Sequence, residues 1–181
     1  MLAFGVRRTT LTEVARRAGV SRPTVYRHWP DVTSLTTDLL TREVLDLLPH
    51  GPDDARGTYR HERERGVDEI VTTVAAVRQH PLFAKLVETD PELLLTYVFD
   101  RLGSSQREIL TAFEAALRRG QQDGSIRTGD TGELAATLLL VVQSAVQSAR
   151  IVAEPLPPER LDQQLRLLLD RYLRPENEEQ S

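Results

Sequence analysis

Apolar residues recur along this chain at three- and four-residue spacing, and nowhere do they alternate with polar ones over a sustained run. That rhythm matches the turn of an α-helix and excludes a half-buried strand, whose period is two. The expected fold class is therefore all-α. At 181 residues the chain suits one ordinary domain or two small ones. Its 40% apolar and 28% charged residues are those of a globular protein, not of a disordered or collagen-like one. The longest unbroken apolar run, Leu138-Leu139-Leu140-Val141-Val142, falls far short of the roughly 20 residues a membrane span needs. Met1 to Arg8 place charge after a very short apolar stretch, the wrong order for a secretory signal. The chain has no cysteine, so disulfides, thiolate metal sites and cysteine nucleophiles are excluded. A cytoplasmic protein with no membrane partner is expected.

Charge is unevenly placed. Residues 1–30 hold six arginines (Arg7, Arg8, Arg16, Arg17, Arg22 and Arg27) against the single acid Glu13. The other 151 residues hold 17 bases and 26 acids, so a basic head precedes an acidic body. Such asymmetry points to a polyanionic partner at one end only.

The head also has the clearest local grammar. Thr10-Leu11-Thr12-Glu13 fits a capping box, with Thr10 accepting from the Glu13 N–H and Glu13 reaching back to the cap. Leu11, Val14, Ala15 and Ala18 then share one face, and Gly19 is a natural stop. Ser21 can cap a second short helix, with Pro23 in its first turn, Val25 and Trp29 facing inward and Pro30 closing it. A longer helix begins near Thr33 and carries Leu35, Leu39, Leu40, Val44, Leu47 and Leu48. Residues 49–57 read as a loop. Further helices are expected at about 60–79, 81–88, 91–102, 105–122, 131–152 and 158–173, with a second capping box at Ser105 to Glu108. Gly120, Gly124 and Gly129 punctuate the turn before residue 131. The expected division is a head, residues 1–48, and a larger bundle, residues 58–173.

Two short helices joined at Ala18-Gly19-Val20-Ser21, with a third following, outline a helix-turn-helix. The second helix would enter the DNA major groove with Arg22, Thr24, Arg27 and His28 outward, Pro23 at its tip and Tyr26 near the rim. An arginine at that N-terminus can bond guanine O6 and N7 together, and a threonine can touch a thymine methyl. Tyr26 and His28, further along, and the Thr10 hydroxyl are better placed for phosphate oxygens.

The segment Thr9 to Trp29, TTLTEVARRAGVSRPTVYRHW, resembles the DNA-binding segment of the TetR family of bacterial transcriptional regulators. The resemblance covers residues 9 to about 40; the rest of the chain shares only helical order and length. It implies a homodimer whose two heads bind a palindromic operator on double-stranded DNA. A small-molecule effector in the larger domain would tilt the heads and release DNA. Carried over by position, Arg22, Pro23 and Thr24 match base-reading residues and Thr10, Tyr26 and His28 match phosphate-contacting ones. Trp29 stands where a buried phenylalanine is usual. Val32 stands where a lysine is usual, which removes one phosphate contact. The family's first helix normally precedes this segment, yet only eight residues stand before Thr9, so a natural start upstream of Met1 is expected.

For the body, Leu93 to Phe99 is apolar all round and marks a buried helix. Phe83, Tyr97, Phe99, Phe113 and Gln143 are candidates to line a mostly apolar effector pocket, although each also suits ordinary core. Ala135, Ala136, Leu139, Val142, Gln143, Val146 and Ala149 on one late helix, and Leu161, Leu165, Leu168, Leu169 and Tyr172 on the other, are expected to pair with a second subunit as a four-helix bundle. Intramolecular packing is the alternative. His50 near Asp53-Asp54 and His61 near Glu62 lack the helical ligand spacing of a metal motif, and neither a phosphate loop nor a serine elbow is present. No enzyme activity, cofactor or metal is expected. A rival reading is a dimeric interaction protein of the same family that has lost DNA binding.

Overall fold

A computed structural model describes residues 9–48, 59–90 and 104–176. Its described residues form eight α-helices and no strand: α1 Leu11–Ala18, α2 Arg22–His28, α3 Val32–Asp46, α4 Glu62–Gln79, α5 Pro81–Thr89, α6 Ser104–Gln122, α7 Thr131–Gln147 and α8 Pro158–Leu173. None of them is long and apolar enough to cross a membrane. The helix expected at 91–102, with Tyr97 and Phe99, lies outside the described residues.

Packing divides the chain into two compact units. One comprises residues 1–46 and 78–105, the other residues 47–77 and 106–181. The segment carrying α5 thus groups with the N-terminal helices.

In the first unit, each short helix is defined by its ends. Thr10 Oγ1 accepts from the Glu13 N–H at 3.2 Å and starts α1. Gly19, at φ 67°, ends it. Its N–H donates to the Arg16 carbonyl at 3.4 Å while the Val20 N–H donates to the Ala15 carbonyl at 3.1 Å, the paired closure of a Schellman turn. Ser21 Oγ accepts from the Thr24 N–H at 3.3 Å and starts α2. Trp29 is extended because the ring of Pro30 disfavours helical backbone in the residue before it. Asp31 Oδ1 accepts from the Ser34 N–H at 2.7 Å and opens α3 at Val32, one residue ahead of expectation. That bond holds the Asp31 carboxyl below its ordinary pKa.

Leu11, Ala15 and Val25 form a small core with Trp29, Val32 and Leu35 against it. Leu40, Leu82 and Leu86 form a second, with Val32, Leu39, Phe83 and Val87. Val32 belongs to both. Ala18 is exposed instead of sharing the inward face of α1. On α3 the buried positions are Thr36, Leu40 and Thr41. The two threonines are tolerated there because each hydroxyl donates to the carbonyl one turn back, Thr36 to Val32 at 2.7 Å and Thr41 to Thr37 at 2.9 Å. His80 Nε2 lies 3.1 Å from Glu43 Oε2, linking the start of α5 to α3.

The second unit has the main core, built from Val67, Val71 and Val74 of α4, Leu117 of α6, Ile126, five residues of α7 and Leu165, Leu169 and Leu173 of α8. Ala135, Leu139, Val142, Leu165 and Leu169 were expected to meet a second subunit, but this core takes them instead. They are the most apolar stripe on their helices, and burial within the chain removes that stripe from water without a partner. What remains outward is Leu140, Leu167 and Leu168, 69%, 44% and 50% exposed. Helix α7 also ends at Gln147, not near residue 152. From Ser148 the chain runs in turns toward Pro155 and Pro157, which cannot sit inside a continuing helix, and Ile151 is left 82% exposed.

Charged groups fasten the ends of this bundle. Asp123 Oδ2 accepts from the Glu62 N–H at 2.9 Å, capping α4 from the end of α6. Glu62 accepts from Arg65 at 2.6 Å and Arg119 at 3.0 Å. Burial alone would push Glu62 up, but the two guanidiniums hold it below the ordinary glutamate value. Buried Arg63 donates to the Ser125 carbonyl at 3.1 Å and pairs with Asp170 at 3.0 Å. Arg127 donates to the Tyr172 carbonyl at 2.8 Å and lies over the Tyr172 ring at 4.6 Å.

Candidate nucleic-acid interface

Because both ends of α1 and α2 are capped, the residues between them have defined exposure. Arg22, Pro23, Tyr26, Arg27 and His28 are exposed on α2, Tyr26 by 51%. Among the described residues, no carboxylate pairs with Arg22 or Arg27, so two full positive charges stand on the helix that follows the turn. Thr24 is half-buried, and its hydroxyl lies 2.7 Å from that of Ser21. It therefore belongs to the cap as well as to the helix surface. Thr10 is exposed, and because its oxygen accepts from Glu13, its hydroxyl proton can still be donated outward.

The capping box is one-sided. Glu13 does not return to the Thr10 backbone; its Oε2 accepts from Arg16 Nε at 2.8 Å and its Oε1 from Arg16 Nη2 at 2.6 Å and Arg17 Nε at 2.7 Å. Charge-assisted bonds to two guanidiniums outcompete one bond to a neutral amide. These bonds carry the Glu13 carboxyl down to a pKa of about 2 and push the Arg16 guanidinium up.

Trp29, expected to face inward, is bonded to a residue that sequence reasoning did not single out. Trp29 Nε1 donates to Asp38 Oδ2 at 3.1 Å, and the same oxygen accepts from Arg42 at 3.1 Å. An indole N–H taken from water needs such a partner. The rings of His28 and Trp29 sit 5.6 Å apart at 49°. A tryptophan in place of phenylalanine is the signal that an acceptor must stand nearby, although only the fold brings one nine residues away.

The described effector candidates belong to different units. Phe83 packs on the Leu40–Leu82–Leu86 cluster of the first unit. Phe113 packs on the main core of the second, and Gln143 is half-buried on α7.

Residues 1–35 match the family model described as bacterial regulatory proteins, tetR family. An HTH-type transcriptional regulator of Mycobacterium tuberculosis (strain ATCC 25618 / H37Rv) is 41% identical over 170 residues, covering 94% of this chain and 86% of the relative. One of Mycobacterium bovis (strain ATCC BAA-935 / AF2122/97) is 40% identical over the same shares. Among solved structures, one described as the molecular basis for control of antibiotic production by a bacterial hormone aligns with a TM-score of 0.65 at 20% identity, over 96% of this chain and 90% of that one. The fatty acid degradation regulator FadR from Bacillus halodurans aligns at 0.61 and 14% identity, over 93% and 88%. At those identities the structures speak for the fold, and the mycobacterial relatives, matched along nearly the whole chain, speak for the family. The chain belongs to the TetR family of DNA-binding, helix-turn-helix transcriptional regulators.

Proposed function

We propose that the protein is a ligand-responsive repressor, acting in the cytoplasm as a homodimer on a palindromic operator and released by a small, mostly apolar molecule. The observation that carries this reading is the pair Arg22 and Arg27, without a carboxylate partner among the described residues, on a helix fixed at both ends by its caps. The capped ends fix where these side chains leave the helix, and a guanidinium so offered can bond guanine O6 and N7 together. In this reading Arg22, Pro23 and Thr24 meet base edges, and Thr10, Tyr26 and His28 meet phosphates. Residues 1–48 form the DNA-binding domain and 58–173 the effector and dimer domain. Exposed Leu140, Leu167 and Leu168 favour a second subunit, since apolar side chains of that size gain from leaving water. Phe83, Tyr97, Phe99, Phe113 and Gln143 remain the candidates to meet the effector.

Selection of bound fragments from random DNA tests this directly. A palindromic consensus is expected, with half-sites about one helical turn apart. Arg22→Ala should then cost about 1–3 kcal/mol at one base pair per half-site, whereas Tyr26→Phe should weaken all sequences alike. Equal loss for Arg22→Ala on operator and random duplexes would remove it as a reader. Failure to enrich any sequence would leave the dimeric interaction protein as the better account.

A further inference from the structure

The arginines of the two head helices are in opposite electrostatic states. Arg22 and Arg27 on α2 have no carboxylate partner among the described residues. Arg16 and Arg17, in the last turn of α1, are both held by one carboxylate: Glu13 meets Arg16 with both oxygens, at 2.6 and 2.8 Å, and Arg17 at 2.7 Å. The cluster lies in solvent, with side-chain exposures of 71% for Arg16, 55% for Arg17 and 38% for Glu13. An ion pair so exposed adds little to stability. Its consequence is for the charge that α1 presents.

In a helix-turn-helix the first helix crosses the phosphate backbone while the second reads bases. Free arginines at the end of α1 would therefore meet phosphates of any sequence. Each such contact adds affinity for all DNA, because it releases a condensed counterion whatever the bases are. We infer that Glu13 is a specificity-determining residue: its carboxylate stands in for phosphate on Arg16 and Arg17 and withholds them from sequence-independent binding, leaving recognition to α2. The inference rests on the DNA-binding reading given above. The depressed pKa of Glu13, about 2, means the carboxylate stays charged at any pH where the protein would work.

Glu13→Gln is the direct test. It preserves side-chain length and the backbone N–H that Thr10 caps, and circular dichroism establishes that the variant folds. Affinity is measured over a series of salt concentrations for a random-sequence duplex and for the operator obtained by selection. The variant should bind the random duplex several-fold more tightly at low salt, and its log–log salt slope should steepen by about 0.9 for each arginine that gains a phosphate. The operator-to-random affinity ratio should fall. Arg16→Ala should change the slope little in the native background and should cancel part of the gain in the Glu13→Gln background. An unchanged slope with a lower Tm would assign Glu13 a structural role only and overturn the inference. If the native protein binds neither duplex, the DNA-binding reading fails first and takes this inference with it; if the native protein binds and only the variant's slope is unmoved, this inference alone fails.

Discussion

An indole carries one polar group that a phenyl ring lacks, and at position 29 that group is satisfied by Asp38. Removing the acceptor leaves a half-buried N–H without a bond, a loss of about 1–3 kcal/mol. Asp38→Ala should therefore destabilise the protein in urea unfolding, and Trp29→Phe introduced alongside it should recover part of the loss because the orphaned donor goes too. A full additive loss in the double variant would show that the hydrogen bond is not the reason for the pairing. The outward residues of α2 were legible in the sequence because a cap, a proline and helical spacing define them locally. Asp38 was not legible as a partner, since nothing around it marks it; only folding α3 against α2 makes the match. Glu13 was recognised as a capping residue for the right backbone bond, but its side chain went to Arg16 and Arg17. Local motifs predict which groups can meet, and charge decides which do.

At the scale of elements, helix starts and stops were read well where a side chain or glycine enforces them. Thr10, Gly19, Ser21 and Pro30 all act at helix boundaries, and Asp130, which no sequence expectation named, starts α7 by accepting from the Glu133 N–H at 2.9 Å. Boundaries set by tertiary packing were read poorly. Ile151 and Val152 continued an apolar pattern past the true end of α7 at Gln147, and that pattern lacked a core to face. Thr36 and Thr41 were passed over because threonine reads as polar, although its hydroxyl can be satisfied inside the helix that carries it. Two glycines provide opposite tests. A Cβ at Gly66, inside α4, would meet nothing within 4 Å. Gly66→Ala should thus stabilise by about 0.5–1 kcal/mol through helix propensity and a less flexible unfolded chain. At Gly120 a Cβ would clash with the side chain of Ile126, a buried core residue whose N–H donates to the Gly120 carbonyl at 2.8 Å. Gly120→Ala should cost about 1–3 kcal/mol by overpacking. Thermal unfolding of the two variants should shift Tm in opposite directions.

At the scale of the molecule, the all-helical architecture and the basic head were visible from periodicity and charge, but the assignment of faces was not. Ala135, Leu139 and Leu169 satisfy their own chain's core, and Leu140, Leu167 and Leu168 stand outside. Both sets look alike in sequence, because burial within and burial between subunits demand the same residue types. If the outer set forms the subunit contact, Leu168→Glu should yield a monomer by sedimentation at micromolar concentration with helix content retained, whereas a dimer that survives both this change and Leu140→Glu would place the contact elsewhere. The second unit should also be acid-sensitive. The hydrogen bond from Tyr59, then the Arg166 guanidinium, hold Asp68 below its ordinary pKa of 3.8 against the effect of burial. Burial likewise opposes the Ser125 and Glu62 donors that lower Asp123. Groups whose pKa falls on folding contribute stability that is full above their unfolded values and is lost as pH drops through the folded ones. Urea midpoints should therefore decline below about pH 4.5, and Asp68→Asn should flatten that decline.

Position 32 shows how tightly such a small head is composed. One valine serves two hydrophobic clusters, one holding α1 and α2 and the other holding α5. A lysine there would set a charged side chain between the two clusters, where valine adds only apolar surface. A displacement of α5 should therefore be felt in the packing of α1 and α2 through Val32, the residue that the two clusters share.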